Sequence, residues 1–269
     1  MMLFRKILIS LSLVIFSTHS LASSPETKGM LELSFSDGRP SVQGVKNVNS
    51  FLERVGVKVT QVSIPKKVQP IIEKSKATAL NADEKKLLIQ VFSLNRAQLL
   101  EQIELAGRKP AVHRGGYLST SEPDVAPYPK VYDMMSMSED IKYYLQHKFG
   151  KLHVNSSEKG EGIDEVMTII SGGHWTWFFV LDDGVVGKLT LGYVDMDSKA
   201  WRISYPGLVS HGGFFDADYG LVVAHAHGPE QFIMRYEEPS ISWPGTLNGN
   251  PWIDFTNEAP VLLNQTVKF

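Results

Sequence analysis

Cysteine is absent from all 269 residues, which excludes disulfides, thiolate zinc sites, a catalytic thiol and the acylated cysteine of a lipoprotein. Stability must therefore come from packing. Long apolar runs are missing as well: none reaches the ~18 residues that mark a membrane-spanning helix. No basic stripe interleaved with aromatics is present and the formal charge is −2, so no nucleic-acid partner is expected. There is no GxSxG elbow and no HExxH helix. Gly184-Val-Val-Gly187-Lys188 lacks the spacing of a phosphate loop and suits a tight hairpin, and Lys199 falls where a calcium loop starting at Asp195 would need an oxygen ligand.

What is present is a globular composition, 43% apolar and 21% charged, long enough for one large domain or two small ones. The first residues read as an export signal: Arg5 and Lys6 form a basic start, Ile7 to Phe16 an apolar core of ten residues, and Ser20-Leu21-Ala22 a small-residue cleavage site. The mature chain is then expected to start at Ser23, with 25 Lys and Arg against 29 Asp and Glu, and to be periplasmic or secreted. The sequons at Asn155 and Asn264 matter only in a glycosylating host.

Along the chain, Val48, Phe51, Leu52 and Val55 recur at helical spacing before Gly56. A short strand is expected at 57–64, and then a helix around Ile71 and Ile72, with Pro70 tolerable only in its first turn. Asn81 with Glu84, and Asn95 with Gln98, have the spacing of two capping boxes. Residues 23–107 therefore read as mainly helical and 108–137 as a proline-rich linker. A helix capped by Ser138 opens the last region, 138–269. From Ile163 the period changes to two, and six short strands separated by turn signals predict an antiparallel sandwich or barrel wrapped by a proline-rich tail.

Ligand-type residues gather between His174 and Gln231. On an alternating strand, Leu221, Val223, His225 and His227 share one side. Two imidazoles at i, i+2, joined by His211 and by His174 or Glu230, would suit Zn²⁺, Fe²⁺, Mn²⁺ or Ni²⁺. The alternative is that these histidines are hydrogen-bonded strand residues. His113, His147 and His153 are expected to be solvated. Trp175 and Trp177 fit a core, whereas Trp243 and Trp252, in a Pro- and Gly-rich tail, could form a binding platform.

The stretch WFFVLDDGVVGKLTL, Trp177 to Leu191, resembles the close of the first cupin motif, with Gly184 in the place of its glycine. YPGLVSH, with Tyr205, Pro206 and His211, resembles the second motif, and a strand at 221–226 follows where a cupin has one. The first motif's two histidines and glutamate are represented by His174 alone, with Trp177 where the glutamate falls. The resemblance covers about 60 residues and implies a metal role for His211. His225 and His227 are added by strand parity.

The expectation is thus an α+β protein: a helical N-terminal region packed on a C-terminal antiparallel β-barrel, a cupin-like jelly roll. Its barrel would hold a small-molecule ligand at a divalent transition metal bound by His211, His225 and His227, with His174 or Glu230 as a fourth ligand and Trp177 and Tyr205 lining the pocket. Were it an enzyme, the metal would act as a Lewis acid or activate water or dioxygen. The alternatives are a non-catalytic envelope protein that binds a sugar or other ligand through Trp243 and Trp252, and an interaction protein with no pocket.

Overall fold

A computed structural model describes residues 29–108, 129–228, 232–237 and 249–264. The expected export signal, Glu230 and Trp243 lie outside them. The elements run β1 (Leu31–Phe35), β2 (Val42–Gln43), α1 (Val45–Leu52), β3 (Lys58–Val62), α2 (Gln69–Lys74), α3 (Ala82–Phe92), α4 (Arg96–Leu105), β4 (Lys130–Asp133) and α5 (Glu139–Gly150). They continue with β5 (Val154–Ser156), β6 (Asp164–Gly172), β7 (Trp175–Val180), β8 (Val186–Leu191), β9 (Ala200–Tyr205), β10 (His211–Phe214), β11 (Gly220–His227), β12 (Ile233–Arg235), β13 (Ile253–Asp254) and β14 (Val261–Leu262).

The helix signals act locally as chemistry requires. Asn81 and Asn95 each accept a backbone N–H three residues on, while Glu84 and Gln98 return the bond, so both capping boxes close. Pro70 sits in the first turn of α2, where it costs no helical hydrogen bond. Gly56 ends the first helical segment with φ 74°, a conformation open to glycine without strain.

Two five-stranded antiparallel sheets face each other, ordered β10-β7-β8-β1-β2 and β3-β9-β6-β11-β4. Between them lies the main core, which includes Leu33, Trp175, Phe179, Leu189, Trp201 and Val222. The outer face of the second sheet is covered by Ile71 and Ile72 of α2 and Leu88 of α3, packed on Ile170, Leu221 and Val223. Trp252 and Ile253 of the tail cover Phe178, Val180 and Phe214 on the outer face of the first sheet.

The arrangement differs from the expected one in two ways. Among the described residues no closed barrel forms, because the edge strands of one sheet do not pair with those of the other. At the β10 edge, His211 instead exchanges both backbone bonds with His153, at 2.9 Å each, and α5 packs alongside. The region expected to be mainly helical also supplies β1 and β2 to one sheet, while its expected strand at 57–64 forms β3 in the other.

Candidate functional site

Strand alternation sends one carboxylate inward. In β6, Val166 packs beneath α4 and Ile170 beneath the neighbouring helices, whereas Met167 and Ile169 enter the main core. Glu165 has the parity of that inward pair, opposite Tyr205 in register. Across the sandwich, His211 opens β10 opposite Phe179, another inward residue. Asn155 on β5 completes the meeting point. Glu165, Tyr205, His211 and Asn155 are all at most 3% exposed.

The contacts among them define a hydrogen-bond network. Asn155 Nδ2 donates to Glu165 Oε2 at 2.7 Å and lies 3.1 Å from His211 Nε2. His211 Nε2 is itself 3.3 Å from Glu165 Oε2. His211 Nδ1 is 2.6 Å from the carbonyl oxygen of Val209 and must carry a proton there, since a carbonyl can only accept. The Tyr205 hydroxyl donates to Glu165 and accepts from the Trp177 indole N–H. Burial pushes the Tyr205 phenol well above its ordinary range, and the Glu165 charge and hydrogen bond add to the shift. It stays a phenol.

His153 was expected in solvent, but its ring lies 4.5 Å from that of His211. Burial holds it well below the ordinary imidazole range and the neighbouring His211 adds to that, against a raising bond to the Lys151 carbonyl. It is neutral at physiological pH.

These groups form the polar end of a cavity with about 50 Å³ open to the centres of water-sized molecules. That is several times the ~10–15 Å³ a single water needs. Trp177, Phe149, Phe215, Phe232 and Met234 are among its apolar walls. Gly213 lines it beside Trp177, and an added Cβ there would meet no atom closer than 3.5 Å.

The remaining candidates lie elsewhere. His225 and His227 do share a face of β11, but it is the outer one: Leu221 and Val223, of the same parity, pack under the helices, while Val222, Ala224 and Ala226 enter the core. His225 Nε2 is accordingly 3.4 Å from Ser93 Oγ, at the end of α3. The two imidazoles therefore do not join His211. His174 sits just before β7 with its ring 4.7 Å from that of Tyr193. Among the described residues no group of three or more His, Asp or Glu could hold a metal ion.

No family model matches the chain, and no curated protein is similar to it in sequence. Among solved structures it is similar to an acireductone dioxygenase from Bacillus anthracis with a cadmium ion in its active center, at 17% identity and a TM-score of 0.52, over 77% of this chain and 99% of that one. The fold is cupin-like.

Within this cupin-like sandwich, three of the expected residues, His211, Trp177 and Tyr205, meet at the cavity. Trp252 does not: it is 2% exposed, its indole donates to the Val186 carbonyl, and Lys188 lies 4.5 Å from its ring centroid. It caps the outer face of a sheet and offers no exposed platform. Glu165, Asn155 and His153 are the site residues missing from the sequence reading. Asn155 stood out only as a sequon, yet at 1% exposure it is closed to modification in the folded chain. A signal for Glu165 did exist, as a carboxylate at the parity of Met167 and Ile169.

Proposed function

We propose that this protein binds a small organic molecule in the cavity between the two sheets, with Glu165, His211 and Asn155 holding its polar end. One observation carries the reading: a carboxylate and an imidazole 3.3 Å apart, nearly buried, at the end of an aromatic cavity. Ionisable groups are costly to bury, and apolar cavities with a few convergent polar groups are the usual form of a ligand site. Both His211 Nε2 and Glu165 Oε2 are acceptors able to take a proton from a bound molecule, because His211 Nδ1 is committed to the Val209 carbonyl. Tyr205 fixes the carboxylate from behind and Trp177 fixes Tyr205.

The cadmium ion of the similar dioxygenase raises the question of a metal here. The described donor set does not fit one. His211 Nε2 and Glu165 Oε2 approach each other, but the third corner of the triangle is Asn155 Nδ2, an amide nitrogen that donates and has no lone pair to give. A transition-metal shell at ~2.0–2.2 Å needs three or more lone-pair donors. The chemistry proposed for the site is therefore that of its own proton-bearing groups.

The test is thermal denaturation with a panel of small alcohols and amines. The wild-type protein should gain several degrees with at least one compound in excess over its Kd, as ligand binding to the native state requires. Gly213→Ala, whose methyl takes space from the cavity without a clash, should lose most of that gain. No stabilising compound, or an equal gain in the variant, would refute the reading. Export belongs to the same proposal. The intact mass of the protein from its natural source should correspond to a chain starting at Ser23, and a retained leader would contradict it.

A further inference from the structure

We propose that the occupant of this cavity is a small neutral or monocationic molecule carrying an N–H or O–H donor on an apolar body, with the donor seated on Asn155 Oδ1. The inference rests on the binding reading above and names its ligand class.

The amide of Asn155 is fixed by its neighbours. Its nitrogen lies 2.7 Å from Glu165 Oε2 and 3.1 Å from His211 Nε2. Turning the amide over would put its oxygen against a carboxylate oxygen and against the ring nitrogen left as an acceptor by the Nδ1–H bond to Val209. The oxygen therefore points away from both. It is buried, has no hydrogen-bond partner among the described residues, and belongs to a side chain that lines the cavity. A buried carbonyl left in that state is destabilising, and a donor on the ligand removes the cost.

Charge narrows the class further. Among the described residues no lysine or arginine lines the cavity, and the ionisable ones that do are Glu165, two histidines and two tyrosines. A carboxylate or phosphate ligand would meet Glu165 with no cation among the described lining residues to offset it. An ammonium or hydroxyl group meets acceptors. Trp177 and Phe215, whose ring centroids are 6.3 Å apart, offer π surface that suits an apolar body and tolerates a cation. The small volume selects a compact molecule over a chain.

Four probes of nearly one size separate the terms on the wild-type protein: benzyl alcohol, benzylamine, ethylbenzene and benzoate, with Zn²⁺ alone as a fifth addition. Calorimetry should give the alcohol or the amine at least tenfold tighter than ethylbenzene, and benzoate no detectable binding. Asn155→Leu should bring the alcohol down to the level of ethylbenzene. If ethylbenzene binds the wild-type protein as tightly as the alcohol, or benzoate binds comparably, the donor assignment is wrong while the cavity reading survives. If no organic probe binds, both fall. If Zn²⁺ alone binds stoichiometrically and Glu165→Gln abolishes it, the Asn155 amide oxygen faces a metal and the proposal is overturned. The wild-type series stands whether or not Asn155→Leu folds.

Discussion

Burying the Glu165 carboxylate costs several kcal/mol unless its oxygens are hydrogen-bonded, and Asn155 and Tyr205 supply those donors. Removing the carboxylate takes the acceptor from two polar groups at once. Glu165→Ala should therefore destabilise the fold by about 3–5 kcal/mol in urea unfolding, whereas the isosteric Glu165→Gln, which keeps an acceptor for Asn155, should cost less than about half as much. Equal losses would mean that the network contributes only packing. At this scale little was legible. His211, Tyr205 and Trp177 stood out as residue types with a purpose, but Glu165 becomes conspicuous only once its register opposite Tyr205 is known. His153 owes its burial to a backbone bridge with His211, 58 positions away, which no local pattern encodes.

At the scale of elements, β11 shows where parity reading stops. The alternation put His225 and His227 together, as they are, but all eight residues of the strand are buried. A strand with no solvent face does not announce which side is the interior. Helices α2, α3 and α4 cover the side that holds the histidines, and burial lowers the His225 imidazole to about 4, helped by the Arg202 charge. The folded state thus resists protonating His225, while the unfolded chain accepts a proton near 6.5. Stability from this group is complete above pH 6.5 and is lost as pH falls toward 4. The loss is on the order of 3 kcal/mol. Urea unfolding of wild type and His225→Gln between pH 7 and 4 should show their stability difference shrinking or reversing as pH falls, with other titrations cancelling. A constant difference would contradict this. The helix caps, by contrast, were readable because each is a local side-chain contact spanning three residues.

For the whole molecule, the two-period pattern of the C-terminal half announced an antiparallel β protein, and the cupin-like fold agrees with it. The pattern did not announce that β1, β2 and β3, drawn from a stretch with helical periodicity around it, pair into both sheets, because partner choice across the chain is set by tertiary packing. The consequence is functional. The two sheets enclose the cavity between Trp177 on one and Glu165 and Tyr205 on the other, closed by Phe149 of α5. Trp252, on the far side of the first sheet, serves as an internal control. The most direct test follows the indole N–H resonances by two-dimensional NMR while benzyl alcohol is added, with assignments from Trp177→Phe and Trp252→Phe. Binding in the cavity predicts a saturable shift of the Trp177 resonance, since its N–H bonds to Tyr205, with Trp252 unmoved. A saturable shift at Trp252 alone, or no shift at Trp177, would contradict it.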